Sequence, residues 1–360
     1  MKISFILNFY PRKPGGGMKV IHEYANYLAD KGHDVTLYYE YCENNISNRY
    51  HLPGWVKLKI MKYNIEVKAM TWFELNKKIK RIAIRKINDL QIKDSDIIIA
   101  TAVETAMPVA NLTDSKGKKV YLIQDFENWY VSEKEVYETY SQDITNIVVA
   151  NWLKKVVDKY SKEPSVLISN SINTDIFRVN NSIKKRENHT LAFHYRSASH
   201  KGCKYAIETI KILEKIYPDL MVYVISIEDE PENLPKCCKY FKNLNPYEVA
   251  EINNKVKVFM CSSIEEGFGL PGLEAMACGC ALVSTEYKGV LEYAIDEQNS
   301  LLSKIRNPQD MAENIKKIFD DEELRMKIVK NGIETAKERS LELAGEKFEK
   351  VLTGVFKQNK

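Results

Sequence analysis

The feature that most constrains this chain is an alternation of short apolar runs with helix-length stretches, met twice along its length. In the first half Ile3 to Phe9 reads as a strand, Gly17 to Lys31 as a helix and Val35 to Tyr39 as a second strand. Asp96 to Thr101 and Val120 to Gln124 follow as further buried strands, and Leu167 to Asn170 ends the half. The second half repeats the scheme with Leu191 to His194, Leu220 to Ile225, Val256 to Cys261 and Ala281 to Ser284, again with helices between them. Apolar strands separated by helices belong in parallel sheets closed by crossover helices. The expectation is an α/β chain of two doubly wound halves facing across a cleft, with ligands at the carboxyl ends of the strands. The boundaries read as a first domain over 1–170, a polar linker over 171–188, a second domain over 189–338 and a closing segment over 339–360 that carries an amphipathic helix.

The length of 360 residues suits two domains, and 44% hydrophobic with 28% charged residues excludes a disordered chain. The N-terminal apolar run is too short for a secretory signal, and no segment reaches about 18 uninterrupted apolar residues, so a cytoplasmic protein is expected. Seven cysteines without paired CxxC spacing read as reduced packing residues, with no structural metal. A formal charge of +4 argues against a nucleic-acid binder. The basic residues do cluster, however, at Lys77, Lys78, Lys80, Arg81, Arg85, Lys86 and Lys93. Interleaved with Trp72, Phe73, Leu75, Ile79, Ile82 and Ile87, the segment 77–93 reads as a basic amphipathic helix suited to an anionic membrane surface. A solvated face over a buried stripe is the plainer reading of the same residues.

Chemistry concentrates between Cys261 and Glu292. An apolar run ends in Ser262 and Ser263, and a helix is predicted over Leu270 to Ala277 with Pro271 in its first turn. Gly267 and Gly269 let the backbone come close to a ligand. The unpaired N–H groups and positive dipole end of the helix then favour an anion such as a diphosphate. Glu266 stands just before that turn. Glu274 lies about one turn into the helix, leaning back toward its start, where it can accept hydrogen bonds from the vicinal hydroxyls of a ribose.

The segment EGFGLPGLEAMACGC, with seven residues between its two glutamates, resembles the donor-site signature of retaining nucleotide-sugar glycosyltransferases with two Rossmann-like domains, the GT-B fold. The resemblance implies an enzyme that moves a sugar from a nucleotide diphosphate sugar to a cell-surface glycan or lipid-linked acceptor, without a metal or other cofactor. It implies an acceptor-side N-terminal domain, a donor-binding C-terminal domain and a terminal helix that returns to the first domain. Within it Glu274 holds the ribose, Glu266 orients the donor sugar, and Gly267, Phe268, Gly269 and Leu270 form the phosphate turn.

Other residues extend the pattern. Gly15, Gly16 and Gly17, in the first strand-to-helix loop, can approach a phosphate or an acceptor, and their position matches the glycine-rich loop of the resembling transferases. Arg196 and Lys201, after a strand of the second half, can neutralise a departing diphosphate. Their spacing before Gly202 matches the family too. Tyr121 to Trp129 is similar to the IQDFE-type segment of bacterial polysaccharide transferases, including rhamnosyltransferases, which favours dTDP-rhamnose over UDP- and GDP-hexoses. Many members of the family carry a histidine there, and Asp125 is the catalytic candidate that stands in this chain. Asp94-Ser95-Asp96 precedes its strand and reads as an acidic turn rather than a metal-holding pair. A dehydrogenase, suggested by Glu40 after the second strand, lacks the Gly-x-Gly-x-x-Gly order. An epimerase or phosphorylase of the same fold would bind similar ligands, and so would a noncatalytic nucleotide- or glycan-binding module.

Overall fold

A computed structural model describes residues 1–40, 53–68, 70–129 and 131–357. The chain divides into two compact units, one of Met1–Ser169 with Ala344–Lys360 and one of Asn170–Leu343.

The first unit runs β1 (Lys2–Leu7), α1 (Gly16–Asp30), β2 (Asp34–Glu40), α2 (Gly54–Glu66), β3 (Lys80–Ile84), β4 (Ile97–Ala100) and α3 (Val103–Ala110). It continues through β5 (Lys118–Ile123), α4 (Glu133–Tyr140), β6 (Thr145–Val148), α5 (Asn151–Val157) and β7 (Val166–Leu167). The strand order is β3-β2-β1-β4-β5-β6-β7, and the pairs are parallel. All four residues of β4 are buried, as are Phe5, Ile6 and Leu7 of β1, which is what helices on both faces of a sheet require.

The second unit contains β8 (Thr190–His194), α6 (Cys203–Leu213), β9 (Met221–Ser226), β10 (Cys238–Lys242), α7 (Pro246–Lys255) and β11 (Val258–Cys261). After these come α8 (Leu270–Ala277), β12 (Ala281–Thr285), β13 (Ser300–Ser303), α9 (Pro308–Asp320) and α10 (Glu322–Lys337); α11 (Leu341–Lys357), which from Ala344 onward belongs to the first unit, closes the chain. The order β10-β9-β8-β11-β12-β13 repeats the first six positions of the other sheet, again with parallel pairing. Each unit is therefore doubly wound, with its topological switch between the first and fourth strands: β1 and β4 in one, β8 and β11 in the other.

Two expectations need correction. Residues 77–93 are not a helix: 80–84 form the edge strand β3, paired with Thr36 to Glu40 of β2. Ile79, Ile84 and Ile87 are buried while Lys80 reaches Asp34 at 2.7 Å, so pairing with an open sheet edge has overridden a helical reading of the isoleucines. Residues 171–188 are not a free linker either. Ile172 and Phe177 are buried, and the buried Arg186 guanidinium donates to the carbonyls of Asn253, Val256, Cys278 and Gly279. Arginine thereby satisfies carbonyls at the ends of α7 and α8, which a run of polar residues does not announce. All six described cysteines are free thiols; Cys42 lies outside the described residues.

Two details govern the stability of the first unit. The α11 side chain of Phe348 is fully buried, with its ring stacked 4.3 Å from Tyr24 and 6.4 Å from Phe5. Gly345, one turn earlier, is needed because a Cβ there would stand 2.5 Å from the Tyr27 ring. At the carboxyl end of the sheet, Glu127 Oε2 accepts from the backbone N–H of Val103 at 2.6 Å and so caps α3. Burial raises the Glu127 carboxyl from its ordinary value to about 8, and the charges of Glu104 and Asp125 push the same way against the Val103 hydrogen bond.

Phe348→Ala should cost about 3–5 kcal/mol, read as a lower urea midpoint, because it empties a packed aromatic site. The Glu127 carboxyl is protonated in the fold and ionised in the unfolded chain over the interval from 4.5 to about 8, so its contribution to stability falls as pH rises through that window. The melting temperature of Glu127→Gln should accordingly decline less than that of the wild type between pH 5 and 8.

Candidate functional site

The second unit builds its site from the two loops at the switch point, 195–202 after β8 and 262–269 after β11. β8 and β11 lie side by side, with Leu191 opposite Val258 and Ala192 opposite Phe259, so their loops emerge together. Gly202 sits at φ 62°, and a Cβ there would fall 2.0 Å from the Ser262 carbonyl oxygen, so glycine allows the loops to touch. Ile264 N donates to the His200 carbonyl at 2.7 Å and Ser262 Oγ to that of Lys201 at 3.2 Å.

This seam brings together most of the donor-side candidates. Lys201 Nζ stands 3.2 Å from Glu266 Oε1, and Ser263 Oγ donates to the same oxygen. Arg196 donates through Nη1 to the Tyr195 carbonyl at 2.7 Å. Burial lowers its pKa while the charges of Glu228 and Glu266, among others, oppose the shift. Two cations and two carboxylates, Glu228 and Glu266, therefore share a partly desolvated corner, where charge interactions are stronger than in water. The histidines nearby do other work: His189 Nδ1 is 2.7 Å from Asp219, and the His194 ring lies against Phe259. Among the described residues no three His, Cys, Asp or Glu side chains group as metal ligands.

The phosphate turn follows. Gly269 is the N-cap of α8 at φ 88°, and α8 has neither a side-chain cap nor an acid in its first turn. In the same unit α7 is capped by Asn245, α9 by Asn307 and α10 by Asp321, whereas α6, which follows Gly202 at the same seam, is uncapped like α8. The first N–H groups of α8 are thus left to other partners, which is the arrangement that receives an anion. Glu274 is buried in the same helix. The side chains of Phe268 and Leu270 are buried too, so what they can offer a ligand is their backbone.

Residues that the sequence did not single out hold this turn in place. Tyr293 Oη donates to the Gly269 carbonyl at 2.7 Å, and its ring lies 5.3 Å from that of Phe268. A Cβ on Gly269 would meet Tyr287 Oη at 1.9 Å, and one on Gly289 would fall 2.5 Å from the Glu266 carbonyl oxygen. Segment 287–293 is therefore a buttress under the glycine turn. The one available signal was the pair of tyrosines flanking Gly289 after β12.

In the first unit the corresponding loops hold Gly15, Gly16 and Gly17. Gly15 is the N-cap of α1, also without a side-chain cap, and open space surrounds the Cβ positions of Gly15 and Gly16. Gly17 abuts Gln124, whose Nε2 donates to the Gly17 carbonyl at 3.2 Å, so the glycine loop and the 121–129 segment meet at one end of the sheet. Asp125 accepts from the Phe126 N–H at 2.8 Å. The helix start after β4 is here filled by the protein's own Glu127. Asp94 and Asp96, before β4, are engaged by Lys116 and by the Lys2 N–H.

Residues 174–335 match the family described as glycosyl transferases group 1. The chain is 27% identical over 220 residues to an uncharacterized glycosyltransferase of Methanocaldococcus jannaschii, covering 59% of this chain and 58% of that protein. It is 28% identical over 170 residues to the N,N'-diacetylbacillosaminyl-diphospho-undecaprenol alpha-1,3-N-acetylgalactosaminyltransferase of Campylobacter jejuni, covering 45% of this chain and 44% of that one. The chain thus spans about half the length of these curated relatives. Among solved structures, the sucrose-phosphate synthase of Thermosynechococcus elongatus superposes with a TM-score of 0.76 at 14% identity, over 99% of each chain. Residues 174–335 thus carry the match to the glycosyl transferases group 1 family, and the likeness over 99% of each chain gives the whole chain two Rossmann-like domains of the GT-B type.

Proposed function

We propose that the chain is a retaining glycosyltransferase whose second unit binds a nucleotide diphosphate sugar at the β8/β11 switch point. The observation that carries this reading is the uncapped start of α8 beside Lys201, Arg196 and Glu266. The diphosphate lies against the N–H groups that follow Gly269, Glu274 accepts from the ribose hydroxyls, and Glu266 orients the hydroxyls of the sugar. In transfer the bond from the anomeric carbon to the phosphate oxygen breaks and one to the acceptor oxygen forms on the same face. The departing phosphate takes the acceptor proton. Arg196 and Lys201 stabilise charge that grows on that phosphate, so fixed protein cations supply the stabilisation without a metal.

The Campylobacter relative's name specifies a lipid-linked diphospho-undecaprenol acceptor, which supports a lipid-linked or cell-surface glycan as the acceptor class here. Asp125 joins the catalytic residues, and Gly15 to Gly17 join the donor-binding set. The 121–129 segment favours dTDP-rhamnose as donor, with UDP- and GDP-hexoses next. No helix among the described residues is long and apolar enough to cross a membrane.

Glu274→Gln should weaken binding of the free nucleoside diphosphate, whereas Glu266→Gln should lower turnover more than nucleotide affinity; calorimetric titration beside initial rates separates the two. Equal nucleotide binding by Glu274→Gln would remove the ribose assignment. Lys201→Ala and Arg196→Ala should each lower kcat by about 100-fold or more at saturating donor and acceptor. Nucleotide release without any acceptor at the full rate would favour an epimerase, and binding without turnover a noncatalytic module.

A further inference from the structure

Helix α2 presents an outward face unlike that of an ordinary domain helix. Its inward stripe is Met61 and Ile65, and Ala83 of β3 donates to Glu66 while Arg81 donates to the Lys68 carbonyl, which fastens the helix to the sheet edge. On the outside Trp55 is 61% exposed, Ile60 49%, Tyr63 59% and Val67 61%. By contrast α10 exposes Glu323, Lys327, Lys330 and Glu334, the charged surface expected of a helix facing water. Four large apolar side chains within thirteen residues carry a cost in water that isolated exposed residues do not.

The charges on this face have one sign. Lys59, Lys62 and Lys68 are exposed, and Lys59 lies 5.2 Å over the Trp55 ring. The acid on the helix, Glu66, is 3.9 Å from Lys62 and bonded to Ala83. Arg85 and Lys86, exposed just after β3, add to the positive field. Tryptophan and tyrosine settle at the headgroup level of a bilayer, lysines reach its anionic phosphates, and a helix of this composition lies in the interface plane.

We propose that α2 is a membrane-docking element, with Trp55, Ile60, Tyr63 and Val67 entering the headgroup region of an anionic phospholipid surface and Lys59, Lys62 and Lys68 pairing with its phosphates. The proposal is independent of the donor site, since none of these residues belongs to it. Exposed tryptophan and tyrosine beside lysines suit the headgroup level of a bilayer. The lysine excess fits a negatively charged lipid sheet.

The test is sedimentation of the full chain with vesicles of phosphatidylcholine alone or mixed with phosphatidylglycerol. Binding should be several-fold stronger to the mixed vesicles and should weaken from 0.1 to 1 M salt as the Debye length shrinks from about 10 to about 3 Å. The double variant Lys59→Gln/Lys62→Gln should lose about fivefold per lysine in partitioning. Trp55→Ser/Tyr63→Ser should lose binding that salt does not remove. All variants should bind nucleoside diphosphate as the wild type does, so loss of the donor site and loss of docking remain separate outcomes. Equal sedimentation with neutral and anionic vesicles, or wild-type binding by both double variants, overturns the proposal. So does a dimer that Trp55→Ser/Tyr63→Ser dissociates in the absence of lipid, which would assign the face to a second copy of the chain.

Discussion

The site of the second unit depends on the backbone of Gly269. At φ 88° a residue with a Cβ would be strained, and this one would also overlap Tyr287. Because glycine accepts the turn, α8 can start immediately behind the loop with its N–H groups unclaimed by a capping side chain. Tyr293 ties the Gly269 carbonyl from beneath, and Gly289 allows segment 287–293 to press against the backbone of Glu266 to Phe268. Rigid support of this kind lets a turn bind an anion without an ordering cost when the ligand arrives.

The two units share a strand order but make opposite electrostatic choices at equivalent places. After β4 the helix start receives Glu127, with Glu104 and Asp125 close enough to raise its pKa. After β11 the helix start is open, with Lys201 and Arg196 in the adjoining loop. A diphosphate would meet the acidic groups Glu127, Glu104 and Asp125 in the first case, and Lys201 and Arg196 beside Glu266 in the second. Topology alone offers two crevices, and charge selects between them.

Much of this was legible in the sequence because the central strands are apolar on both faces. β1, β4, β8, β11 and β12 announce themselves as apolar-rich runs, and helix 270–277 is marked by Gly269 and Pro271. The edge strands were not legible. β3 reads KRIAI and β10 reads CKYFK; each is half exposed, carries lysine and takes its identity from a neighbour's open edge. The same physics misassigned 77–93 as helix, since isoleucines spaced along a basic segment fit either period over so short a window. Arg186 escaped notice because a buried arginine is defined by distant carbonyls. Tyr287 and Tyr293 escaped because a supporting hydroxyl leaves no spacing rule. Contact between Lys201 and Glu266, 65 positions apart, follows from the adjacency of β8 and β11, which the strand order alone reveals.

The central claim is that the open start of α8 and its neighbouring cations form a nucleotide diphosphate sugar site. A thermal-shift titration of the full chain with dTDP-, UDP- and GDP-sugars tests it most directly. A matching donor at about 100 times its Kd should add about 2.7 kcal/mol to the stability of the wild type, and that gain should shrink in Glu274→Gln. Stabilisation by none of these donors, or an undiminished gain in Glu274→Gln, would contradict it.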